Sequence, residues 1–111
     1  MTVSELATRL DLKVYTGEQS TRERCVSGCY IGDLLSLAMS KVQMDSAWIT
    51  IQTNMNIVAV SSLADGACII IADGFVPDDS TLEKAKEQEV IILGSELSAY
   101  DIAKKLAELG I

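Results

Sequence analysis

The strongest constraint on this chain is a rhythm of short, β-branched apolar runs separated by stretches of helical period. Residues 47–52 (Ala-Trp-Ile-Thr-Ile-Gln), Cys68–Ile71 (Cys-Ile-Ile-Ile) and 90–93 (Val-Ile-Ile-Leu) each read as a strand, and their starts lie about twenty residues apart. The second is an almost unbroken apolar run, the kind buried on both faces of a parallel sheet. Parallel neighbours need a crossover, and the spans between these runs are long enough for one helix each. That requirement decides residues 54–63. Ile57, Val58 and Val60 favour a strand by propensity, but the segment must carry the chain back to the next strand and is expected to be helical. The fold class is therefore α/β, a single domain over residues 1–111 with repeated strand-helix units and a largely parallel sheet. The order of the strands stays open.

Local signals supply the remaining elements. A helix is predicted over Val3–Leu10, with Thr2 and Glu5 spaced as a capping box, followed by a strand at 12–15 and a polar loop at 17–24. A strand at 24–29 comes next. Ile31, Leu34, Leu35, Ala38 and Val42 then fall at helical spacing, with Gly32 and Asp33 at the entrance of that helix. Ser80 and Glu83 form a second capping box for a helix ending near Glu89. A last helix at 98–109 has Ile102, Leu106 and Leu109 as its core face and stops at Gly110.

Composition narrows the function. With 111 residues, 49% of them apolar, the chain can bury one core without disulfide or metal staples. The net charge is −7, and residues 25–77 set Asp33, Asp45, Asp65 and Asp73 against Lys41 as the only cation. Nucleic acid and anionic membrane surfaces both demand clustered Lys and Arg, so neither is an expected partner. The first residues lack the basic and apolar regions of a secretory signal, and the apolar stretch 67–72 is too short to span a bilayer, so a cytoplasmic location is expected. Three cysteines, an odd number, fit a reducing compartment.

Catalytic chemistry finds little purchase. The chain has no histidine, which removes the commonest general base and metal ligand. It carries no Walker-type loop and no Gly-x-Gly-x2-Gly run, and Ser61 and Ser62 have no neighbouring base in sequence. Cys25 and Cys29 would share one face of the 24–29 strand and pack in the core, like Cys68 in its apolar run, with thiol redox chemistry as the competing use. No enzymatic activity, cofactor or metal is expected.

Ligands of parallel sheets bind beyond the carboxyl ends of the strands, which here means the segments 52–56, 72–75 and 94–96, with 29–33 ahead of the long helix as a fourth. Asn54, Asn56, Asp73, Gly74 and Ser95 are the candidate ligand-binding residues, and the same residue types also serve as helix caps and turns. The 54–64 segment has no charged residue, so that helix must lie in the core or against a second subunit. The pattern leaves that choice open.

The run Gly28-Cys29-Tyr30-Ile31-Gly32-Asp33-Leu34-Leu35-Ser36, then Trp48-Ile49-Thr50-Ile51-Gln52 and Asn54-Met55-Asn56-Ile57-Val58-Ala59-Val60, together with residues 69–74 and Pro77-Asp78, resembles the DRTGG domain family. The resemblance extends from about Leu6 to Ile111, and the family is itself similar to the N-terminal domain of HPr kinase. Where the family carries the Asp-Arg element of its name this chain has Thr53-Asn54-Met55-Asn56, and where it carries Thr-Gly-Gly this chain has Ala72-Asp73-Gly74. A polyphosphate would then meet backbone donors in place of an arginine fork. The resemblance implies a non-catalytic regulatory or accessory domain that forms a homodimer and senses a small ligand such as an adenine nucleotide. The alternative it implies is a structural adaptor for a larger redox enzyme, such as an iron hydrogenase, with no ligand.

Overall fold

A computed structural model describes residues 1–111. Five strands, β1 (Lys13–Thr16), β2 (Gly28–Ile31), β3 (Ser46–Thr50), β4 (Cys68–Ile71) and β5 (Ile92–Gly94), form one sheet in the order β1-β5-β4-β3-β2. Strands β2 to β5 are mutually parallel, and β1 closes the far edge antiparallel to β5. The expected α/β class with a largely parallel sheet is what the chain adopts.

The crossovers explain where the helices go. Each step from β2 to β3, β3 to β4 and β4 to β5 moves one strand in the same direction, so right-handed connections put all three helices on one face. These are α2 (Leu35–Lys41), α3 (Asn56–Ala64) and α4 (Asp79–Gln88). They share a core with Trp48, Ile69, Ile71 and Ile92 through Ala38, Ile57, Val58, Val60 and Ala85. The other face is covered by α1 (Val3–Leu10) and α5 (Ala99–Glu108), whose Leu6, Leu10, Ile102 and Leu106 meet Ala47, Ile49, Cys68, Ile70 and Leu93. Strand residues alternate between the two cores, as the period of two requires. Each fully buried Ile of β4 contributes about 1.5–3 kcal/mol by leaving water. Burial on both faces is why the run reads as continuously apolar.

Capping fixes several boundaries. The Thr2 hydroxyl accepts the Glu5 N–H at 3.1 Å, so Thr2 caps α1 as expected, while the Glu5 carboxylate accepts the Thr2 hydroxyl and not its backbone N–H, which leaves the box half formed. Ser98 caps α5 by accepting the Asp101 N–H at 3.1 Å. The second expected box does not form. Helix α4 begins at Asp79, its N-cap Asp78 makes no side-chain capping bond, and the Thr81 hydroxyl donates to the Thr53 carbonyl at 2.6 Å.

Two further expectations are corrected. The strand expected at 24–29 lies at 28–31, because the preceding residues are held by other means: Thr2 and Cys25 form an isolated bridge, and Arg24 reaches the Asp45 and Asp65 carboxylates at 3.0 and 3.1 Å. Ile31 therefore belongs to β2 and not to the helix, which starts only at Leu35. Cys25 and Cys29 do not pack in the core. Both are exposed, and only Cys68 is buried.

The uncharged segment read as a core or interface helix is α3, and it lies between α2 and α4 with Ile57, Val58, Val60 and Ser61 buried. Its role is chiefly internal, although Leu63 projects outward at 77% exposure. No helix is long and apolar enough to cross a membrane.

Candidate functional site

The chain leaves β4 toward α4 on one face of the sheet and leaves β5 toward α5 on the other. Adjacent parallel strands whose following loops diverge open a crevice at their carboxyl ends, where α/β proteins bind ligands. Here it falls between the segments 72–78 and 95–98.

The floor of that crevice is tied by backbone bonds. Asp73 and Gly74 both have positive φ, 58° and 72°, and the Phe75 N–H donates to the Ala72 carbonyl at 3.3 Å, the pattern of a type I′ turn. The turn leans on the neighbouring loop, with the Asp73 N–H donating to the Leu97 carbonyl and the Gly74 N–H to the Ser95 carbonyl, both at 2.9 Å. The Ser95 hydroxyl accepts the Leu97 N–H at 3.0 Å. A non-glycine residue at 74 would meet the Glu96 carboxylate, so Gly74 answers both the backbone conformation and the close approach.

Beside these bonds an open cleft of about 260 Å³ remains. One wall comes from Gly74, Phe75 and Val76, another from Gly94, Ser95 and Glu96, and the third from Asp11, Lys13 and Tyr15. Lys13 and Tyr15 sit two residues apart on β1 and so share a face, with the Lys13 ammonium 4.7 Å from the centre of the Tyr15 ring. The ring lies across Gly94, where a Cβ would stand 2.6 Å from it. Phe75 is about half exposed and Val76 more so, which leaves apolar surface at the mouth.

The five candidate residues thus separate. Gly74 and Ser95 line the cleft, and Asp73 forms the turn behind it. Asn54 and Asn56 lie at the amino end of α3, where the Asn54 side chain accepts the Asn56 N–H at 3.0 Å and donates to Gln52 Oε1 at 3.1 Å. That pair continues a network ending at Asp33, whose carboxylate accepts the Thr50 hydroxyl and the Ile51 N–H, each at 2.9 Å, while the Gln52 amide donates to the Asp33 carbonyl. The network ties the carboxyl ends of β2 and β3 to α3. Phe75 and Glu96 lie within the expected segments 72–75 and 94–96, whereas Lys13 and Tyr15 come from β1, outside every expected segment; the alternation Lys13-Val14-Tyr15 indicates a shared strand face and not a place at the crevice.

Two of the three thiols, Cys29 and Cys68, are poor nucleophiles at neutral pH. Although Cys29 is exposed as a residue, loss of hydration around its sulfur pushes the thiol up to about 11, and burial pushes Cys68 up to about 12. No cluster of three acidic or cysteine side chains converges as a metal site would require.

A mainly parallel sheet covered on both faces, with a crevice at its carboxyl edge built from turns, one cation and aromatic walls, defines an α/β domain with a cleft at its topological switch point. The DRTGG domain model matches residues 5–109, so the chain belongs to the DRTGG domain family. The resemblance carried by residues 28–36 and 48–60 holds over nearly the whole chain. Among solved structures the fold is similar to the CBS and DRTGG domains of the regulatory region of a Clostridium perfringens pyrophosphatase, in complex with its activator diadenosine tetraphosphate. The TM-score is 0.67 at 9% identity, over 93% of this chain and 44% of that one. This chain therefore spans less than half the length of that regulatory region. No curated protein matches the sequence.

Proposed function

We propose that this chain is a non-catalytic regulatory module, homodimeric, that senses an adenine nucleotide or nucleoside in the β4–β5 crevice. The observation that carries the reading is the cleft itself, which sets a half-exposed Phe75 and the Tyr15 ring around Gly74, Gly94 and Ser95. Aromatic and apolar walls suit a planar base, the Ser95 hydroxyl and Glu96 carboxylate can take its polar edge, and Lys13 offers one positive charge to a phosphate. Asp73 holds the turn in place, and Asn54 and Asn56 hold the next crevice loop along the sheet. Membership of a family whose fold occurs in an activator-bound regulatory region supports the reading.

Charge sets the expected preference. Lys13 is a single cation flanked by Asp11 and Glu96, so each added phosphate brings repulsion that no arginine offsets. AMP should therefore bind more tightly than ATP. Native mass spectrometry of the purified chain with adenosine, AMP and ATP reads both assembly and ligand. A dimer retaining AMP, with retention lost in Tyr15→Ala and Lys13→Ala, is the expected result. A dimer that binds none of the three would overturn the sensing reading and leave the ligand-free adaptor in its place.

A further inference from the structure

The two edges of the sheet are defended unequally. On the β1 edge Lys13 is exposed and the register with β5 shifts between Val14 and Thr16, both features that hinder pairing with a foreign strand. Strand β2 at the opposite edge has neither. Its sequence is Gly-Cys-Tyr-Ile, its register with β3 is unbroken, and no strand lies beyond it.

Apolar exposure gathers at the same place. Of the eleven large apolar residues that are exposed, Ile31, Leu34, Leu37, Met39 and Met44 fall between residues 31 and 44, on β2, at the N-cap of α2, on α2 and just after it. The segment 25–44 carries only two charges, Asp33 and Lys41. The Asp33 carboxylate is turned onto Thr50 and the Ile51 N–H, and none of the ion pairs within the chain uses Lys41.

We propose that β2 and α2 form a self-association surface, with β2 of two copies pairing antiparallel across a twofold axis normal to the sheet. The inference rests on the homodimeric reading above and names the surface that reading requires. A second copy is the occupant because the backbone groups of an open edge are matched by another strand, and a twofold axis brings identical undefended edges together. Charge points the same way. Two chains of net charge −7 repel except where their surfaces are neutral, as here.

The same axis keeps both α2 helices on one face of a continuous ten-stranded sheet and runs them antiparallel. Lys41 at the carboxyl end of one α2 then comes toward Asp33 before the other. A four-residue strand alone buries less than the roughly 800 Å² per partner of a stable interface, so Leu34 at the N-cap of α2 and Leu37 on it must supply the rest.

Cys29 tests the geometry in the unmodified strand. Antiparallel pairing about that axis sets the two Cys29 side chains on the same face, opposite or diagonal, within about 8 Å. In a Cys25→Ser background, with Cys68 buried, a short bismaleimide, used at a pH and reaction time at which a monofunctional maleimide is first shown to label the raised Cys29 thiol, should join two chains through Cys29 alone. Ile31→Lys should lower the native mass from twice the chain mass to once while circular dichroism stays unchanged, whereas Leu63→Lys, on the outer side of α3, should remain dimeric. A dimer that does not cross-link at Cys29 and survives Ile31→Lys would overturn this surface and leave the homodimeric reading standing. A wild-type monomer would overturn both and leave the edge open to a strand from another protein.

Discussion

Cys68 shows how one buried titratable side chain ties the stability of this fold to pH. Burial is the main reason its thiol is pushed up to about 12, nearby Cys29 pushes the same way, and Arg24 pulls weakly against them. In the unfolded chain the thiol returns to near 9.0. Because the folded value is the higher, the contribution is fully present below pH 9 and is lost as pH rises through 12. Denaturant midpoints measured from pH 8 upward should hold until about pH 9 and then fall. A Cys68→Ala variant, which lacks this thiol and keeps every other group, should fall less steeply. Equal slopes in the two proteins would show that the thiol is not linked to folding. The same shift makes Cys68 itself a poor nucleophile, since reactive thiols carry lowered values.

At the scale of elements, the join of β1 to β5 depends on Thr16. Its buried hydroxyl donates to the Val90 carbonyl at 2.7 Å and accepts the Ile92 N–H at 3.0 Å, bridging the place where the register shifts. Thr16→Val keeps the shape but leaves both backbone groups without that partner, so a loss of about 1–3 kcal/mol is expected, read as a lower urea midpoint. The variant should also weaken AMP retention, because β1 carries Lys13 and Tyr15 into the cleft. This join marks the limit of what the sequence discloses. Elements with local signals were legible: Thr2 caps α1, β4 is a bare apolar run, and the crossover argument identifies α3 against its β propensity. Sequence pattern starts β2 four residues early because the apolar Cys25 and Val26 after Arg24 read as strand while Thr2 and the Arg24 ion pairs hold that stretch, and helical spacing runs back to Ile31 by coincidence. Gly74 and Ser95 could be read as crevice residues from their place after apolar runs. Lys13 and Tyr15 could not, because their position depends on pairing with Gly94 and Leu93 at the far end of the chain.

For the whole molecule the decisive quantity is the charge of −7 carried by each copy. If two copies meet at the neutral β2–α2 surface, the apolar contact is indifferent to salt while repulsion between the rest of the two molecules is not. Raising the ionic strength from about 0.01 M to about 0.15 M shortens the screening length from roughly 30 Å to roughly 8 Å, less than the 25 Å shortest dimension of the chain. Most of the repulsion should disappear over that range. Sedimentation equilibrium should accordingly give a dimer dissociation constant that falls as salt rises, with Ile31→Lys monomeric throughout. A constant that rises with salt would mean that pairs of the Lys41 and Asp33 type govern association. The apolar residues of β2 and α2 would then be bystanders at a charged interface.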